Sequence, residues 1–148
     1  MPDSPKLSEF TVTRRVQFYE TDAAGIVHFS WYLRYLEEAE HAMWRAAGLS
    51  IAPAGSEVGF PRVSVHTDYC APLRFEDEFE TTIRIVGMTD KSIRYSGVMK
   101  CGDTVVANLA MTIVCVTKAA DDTLRAAPLP VAVRARFEVA ADVIAGQR

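Results

Sequence analysis

Asp22 is followed by Ala23, Ala24 and Gly25, and a long apolar periodicity begins at residue 32. That spacing puts a carboxylate in a tight loop just ahead of a helix, beside first-turn N–H groups that have no intrahelical acceptor. A carboxylate can attack a carbonyl, or activate water against one, while a nearby N–H holds the oxyanion that forms. The same residue could equally make an Asx turn or a helix-stabilising charge worth about 0.3–1 kcal/mol, and spacing alone leaves both readings open. Glu37, Glu38, Glu40 and His41 fit a solvated or interfacial helix face, with Glu37 and His41 as an i, i+4 pair. His66 and Asp68 share one strand face, as the polar side of a sheet would, and Lys91 and Arg125 are isolated charges. Cys70, Cys101 and Cys115 are odd in number and far apart, so they read as core thiols rather than a disulfide framework or zinc cluster.

The elements that must position these groups follow from periodicity. Thr11 to Tyr19 alternates at strand period, and apolar residues at 32, 35, 36, 39, 42, 43 and 46 mark one face of a helix about eighteen residues and roughly 27 Å long. Ser30 is its expected N-cap and Gly48 its left-handed C-terminal stop. After a Gly- and Pro-containing crossing to Pro61, four strands are expected, over 62–70, 79–87, 92–101 and 104–116. Thr104 to Val116 is apolar on both faces, which suits a strand inside a covered sheet and not an edge. Asp121 to Pro130 reads as a loop, Val131 to about Ala145 as a second, shorter helix, and residues 1–9 as a frayed terminus. One long helix beside consecutive strands, without a βαβ rhythm, predicts an α+β sheet wrapped around a single helix.

Composition agrees with one soluble domain over residues 1–148: 49% hydrophobic, 24% charged, with net charge −3. Nothing is basic enough to favour nucleic acid, and no run reaches the roughly 18 apolar residues of a membrane span. MPDSPKLSEF has no apolar core of the signal-peptide kind, so a cytoplasmic location is expected. There is no glycine-rich phosphate loop, G-x-S-x-G motif or internal repeat.

The segment YETDAAGIVHFSWYLRYLEEA resembles the signature of hotdog-fold acyl-CoA thioesterases of the 4-hydroxybenzoyl-CoA thioesterase type. APLRFEDEFE, DKSIRYS and TLRAAPLP resemble further segments of that family, and together the likeness covers roughly residues 12 to 137. The resemblance implies a five-stranded antiparallel sheet around one helix, assembled as a homodimer or homotetramer with the active site between subunits. It implies Asp22 as the catalytic carboxylate, Gly25 as the residue that lets the loop approach the thioester, and the Phe29 backbone N–H as oxyanion donor. Ile26 and His28 would contact substrate, and Lys91, Ser92 and Arg125 would lie near the coenzyme A moiety. His28 departs from the family's usual aromatic at that place, and Glu38 is the alternative carboxylate, since another hotdog branch draws its carboxylate from the helix. Neither metal nor cofactor is implied, coenzyme A being part of the substrate. The acyl group, aromatic or of short or medium chain, stays open, as does a carrier-protein thioester in place of coenzyme A. A hotdog hydratase or dehydratase would need a His–Asp pair facing the pocket, and a non-catalytic acyl-thioester binder would have no use for Asp22.

Overall fold

The computed structural model describes residues 5–142. In chain order come β1 (Glu9–Arg15), a 3-10 turn (Phe18–Glu20), α1 (Trp31–Ala46), β2 (Val58–Gly59), β3 (Arg62–Tyr69), β4 (Glu78–Met88) and β5 (Ser92–Cys101). They are followed by β6 (Thr104–Val114), β7 (Val116–Lys118), β8 (Leu124–Ala126) and α2 (Val131–Arg136). Five strands form one antiparallel sheet in the order β1-β4-β5-β6-β3, and β2, β7 and β8 form a second, three-stranded one.

The large sheet wraps α1 because two periodicities meet. In β4, Phe79, Thr81, Ile83 and Ile85 are buried at every second position, as are Ile93, Tyr95, Gly97 and Met99 in β5. They face the stripe of α1 made by Tyr32, Tyr35, Leu36, Ala39, Met43 and Trp44, all within 3% of complete burial. Burial of each large apolar side chain stabilises by about 1.5–3 kcal/mol. Gly97 lets the helix seat closely: a Cβ there would stand 2.7 Å from Leu36 Cδ1. Gly48, at φ +79°, turns the chain out of α1 as its type predicts.

Several boundaries differ from the sequence reading, each for a local reason. The first strand ends at Arg15 and not Tyr19, because the Glu20 carboxylate accepts the Gln17 N–H at 2.7 Å and draws the chain into the 3-10 turn, leaving Phe18 and Tyr19 exposed. Helix α1 has 16 residues, and Ser30 does not cap it: its backbone is already helical and its Oγ lies 2.9 Å from His28 Nδ1. Ala46, expected on the buried face, is exposed. The long strand breaks at Cys115, whose N–H donates 2.7 Å to the Lys91 carbonyl. The loop expected over 121–130 contains β8, which pairs with β7 across a turn held by Asp121 and Thr123. Helix α2 stops at Arg136 because Phe137 turns to extended backbone, bridges Leu7 and is buried. Leu7 to Glu9 are therefore ordered against the fold and not frayed; residues 1–4, and the part of the expected second helix beyond 142, lie outside the described residues.

Of the three cysteines only Cys115 is a core thiol; Cys101 is half-buried and Cys70 exposed. The expected Glu37–His41 pair is replaced by Glu37 with Arg62 at 3.3 Å, while His41 approaches Glu40 at 3.8 Å. Strand β6 does lie inside the sheet, between β5 and β3, and β3 takes one edge with Val63 and Val65 exposed.

Candidate active site

The loop carrying Asp22 is a miniature hairpin. Thr21 bridges Val27, the Asp22 N–H donates to the Ile26 carbonyl at 2.8 Å, and the Gly25 N–H returns to the Asp22 carbonyl at 3.0 Å. Gly25 holds φ +79°, which only glycine adopts without strain. The far arm is sewn to the segment before β4 by the Ile26–Arg74 bridge and by the Val27 N–H on the Leu73 carbonyl at 2.8 Å.

Glu20 fastens the near arm. Its carboxylate is wholly buried and meets Arg14 in two contacts of 2.7 and 2.6 Å, while accepting the Gln17 N–H and, at 2.9 Å, the Tyr35 hydroxyl. Its carbonyl accepts the His28 N–H at 2.8 Å, so one residue ties both ends of the loop. Burial alone would raise the Glu20 carboxyl, but the Arg14 guanidinium, the Gln17 N–H and the Tyr35 hydroxyl outweigh it and hold the group below the usual carboxylate range. Arg14 also pairs with Glu38 at 2.6 Å, which commits the alternative carboxylate to an ion pair.

Asp22 itself serves two readings at once. Its Oδ1 accepts the Ala24 N–H at 2.8 Å, a local Asx-type turn, and Oδ2 has no partner among the described residues. Asp22, Ile26 and Phe29 line one cleft of about 510 Å³, with Val27, Tyr32, Tyr69, Cys70, Ala71, Pro72 and Arg74 as its other walls.

The backbone at Phe29 is pinned at every polar group but one. The His28 carbonyl accepts the Trp31 N–H at 3.0 Å, the Phe29 carbonyl accepts the Tyr69 hydroxyl at 2.9 Å, and the Ser30 N–H donates to His28 Nδ1 at 3.2 Å. The Phe29 N–H alone has no acceptor among the described residues, and it stands at the positive end of α1.

His28 does not line the cleft: its ring packs on Phe29, centroids 4.5 Å apart, and holds Ser30. Lys91, Ser92 and Arg125 also lie off it. Ser92 Oγ is 2.6 Å from Thr89 Oγ1 in the β4–β5 turn, and Lys91 and Arg125 are exposed on adjoining segments, since Cys115, bonded to the Lys91 carbonyl, precedes the strand that pairs with Arg125. His66 and Asp68 form an exposed pair at 3.1 Å on β3. Glu20, Arg14, Tyr35, Tyr69 and Arg74 were not singled out by sequence. Glu20 at least stood two residues from Asp22 in the motif, whereas Tyr69 is 40 residues from Phe29 and carries no local signal.

One long helix against a five-stranded antiparallel sheet, with an acidic loop at the helix start, makes the hotdog fold. The chain belongs to the thioesterase-like superfamily, whose family model matches residues 16–137. A protein of Aquifex aeolicus (strain VF5), given only the name of an esterase, is 37% identical over 112 residues, 74% of this chain and 85% of that one. Acyl-CoA thioester hydrolase YbgC of Escherichia coli O157:H7 is 28% identical over 128 residues, 84% of this chain and 92% of its own. Among solved structures, a gentisyl-coenzyme A thioesterase superimposes with TM-score 0.77 at 29% identity, covering 86% of this chain and 99% of that one. The protein is accordingly a thioester hydrolase.

The lowered Glu20 carboxyl sets a pH window. Its stabilisation is complete above the ordinary carboxylate range near 4.3 and fades as pH falls through the lower folded-state value. Glu20→Gln should cost about 1–3 kcal/mol near pH 7, and the gap from wild type should narrow at a pH below the ordinary carboxylate range. Urea unfolding at the two pH values measures it; a gap independent of pH would mean the charge of Glu20 is not what holds the loop.

Proposed function

We propose that the protein hydrolyses an acyl-CoA thioester in the Asp22 cleft, releasing free acid and coenzyme A. The observation that carries this reading is that one cleft is lined by both Asp22, whose Oδ2 has no partner among the described residues, and Phe29, whose N–H has none either. The thioester carbonyl oxygen sits at the Phe29 N–H, where the helix dipole adds to the hydrogen bond as negative charge develops. Asp22 either attacks the carbonyl carbon to give an acyl-enzyme anhydride that water then opens, or takes a proton from the attacking water. In both routes the C–S bond breaks and coenzyme A leaves as thiolate, to be protonated by solvent.

The walls Phe29, Tyr32, Tyr69 and Pro72 favour a flat aromatic acyl group, a choice in keeping with the gentisyl-coenzyme A thioesterase among the similar structures. A hydratase or dehydratase would need a histidine facing the cleft with Asp22, and His28 is turned onto Ser30.

The cleft is completed by a second copy of the chain. In support, β3 ends the sheet with free backbone and exposed Val63 and Val65, an edge that would otherwise invite uncontrolled pairing. Lys91 and Arg125, which lie off the cleft of their own chain, then serve the phosphates of coenzyme A bound across the pair of subunits. Light scattering should give at least twice the 16.3 kDa of one chain, and a fully active monomer would end the shared-site proposal.

Asp22→Asn should lower kcat by about 10²–10⁴-fold on benzoyl-CoA, with the melting temperature nearly unchanged. Turnover near wild type would reduce Asp22 to a turn residue. Lys91→Ala and Arg125→Ala should each raise KM for coenzyme A thioesters by about 3–10-fold and leave pantetheine thioesters unaffected. An equal loss on both substrates would assign the two residues to the fold instead of the nucleotide.

A further inference from the structure

We propose that Tyr69 is a positioning residue for the oxyanion site, its hydroxyl holding the Phe29 backbone so that the free N–H keeps the angle at which it meets the thioester oxygen. The inference rests on the acyl transfer proposed above and adds to it a residue outside the loop and the helix.

The hydroxyl donates to the Phe29 carbonyl at 2.9 Å. Its own position is fixed from two sides. Tyr69 ends β3, paired with the buried Ala107 of β6, and its ring stands edge-on to Tyr32 of the first turn of α1, with centroids 5.0 Å apart and planes at 88°. Tyr32 is buried, so the ring of Tyr69 leans on a packed part of the helix.

The consequence is geometric. Among the described residues the peptide before Phe29 is held only through the His28 carbonyl, so it could swing its N–H away by a paired rotation about the bonds flanking the peptide. Such a rotation needs the next peptide to yield. That peptide is held at its N–H by the His28 ring and at its carbonyl by Tyr69, and the second hold comes from across the fold. An oxyanion donor contributes most when it does not have to reorganise as charge develops, so losing this hold is felt in the transition state and not in substrate binding.

Tyr69→Phe removes the hydroxyl, keeps the ring against Tyr32, and leaves the Phe29 carbonyl open to water, since Tyr69 is 50% exposed. The variant should melt like wild type, lose about tenfold in kcat on benzoyl-CoA, and keep its KM. Binding of a trifluoromethyl ketone analogue of benzoyl-CoA, whose tetrahedral hydrate places an oxygen at the Phe29 N–H, should weaken by a similar factor while free coenzyme A binds as before. Unchanged kcat, a loss carried wholly by KM, or an analogue weakened no more than coenzyme A would each overturn the assignment. Asp22→Asn in the same assay separates the two levels. If it collapses turnover while Tyr69→Phe does not, only the role of Tyr69 fails. If Asp22→Asn turns over normally, the proposed reaction fails and this inference with it.

Discussion

A fully buried carboxylate organises the functional end of this molecule. Glu20 gives up hydration, which is tolerable only because Arg14, the Gln17 N–H and the Tyr35 hydroxyl all reach it. These partners come from β1, the 3-10 turn and α1, so the charge can be satisfied in one arrangement of the three. The Asp22 loop hangs from that arrangement, through the Glu20 carbonyl on the His28 N–H. Loss of one partner would strand a buried charge, which is far costlier than the loss of an exposed ion pair.

A second polar inclusion lies further along the same helix. Glu40 is wholly buried and paired with Arg62, close to Tyr95, whose hydroxyl accepts the Trp44 indole N–H at 3.1 Å. Here burial outweighs Arg62, and the carboxyl is pushed above the usual range. The contrast with Glu20 follows from the partners: Glu20 meets its arginine through both oxygens and takes two further donors, whereas Glu40 meets Arg62 through one oxygen. A raised carboxyl favours the protonated form, so Glu40 opposes stability as pH rises above the ordinary carboxylate range, while Glu20 supports it there. The two sites link α1 to β1 and to β3, through Tyr35 and Arg14 on Glu20 and through Glu40 with Arg62, and a buried ion pair is weak evidence for net stability.

That stripe and the sheet fit closely at Gly97, where a Cβ would run into Leu36. Tight seating at the middle leaves the ends of α1 to be decided by the loop at one end and by Trp44 against Phe60 and Phe137 at the other. The cleft opens at the first of these ends, between the Asp22 loop, the first turn of α1 at Tyr32 and the end of β3 at Tyr69.

Local chemistry was enough for much of this. The period of residues 32 to 43 located the central helix, Gly48 its stop, and alternation located β4 and β5, because each signal depends only on near neighbours in the chain. The Asp22–Gly25 loop and its place ahead of the helix were equally legible, since turn chemistry is local, and the family resemblance supplied the expectation about Phe29. What sequence could not reach depends on distant partners. The 3-10 turn that ends β1 needs Glu20 to be buried by Tyr35; the short α2 needs Phe137 to meet Leu7; Ser30 leaves the helix cap because His28 folds back on it. Tyr69 reads as one more residue of an alternating strand until the sheet carries its hydroxyl to the Phe29 carbonyl, 40 residues away in sequence. Hydrogen bonds between segments follow the curvature of the sheet and its packing on the helix, and no local pattern of residues encodes either.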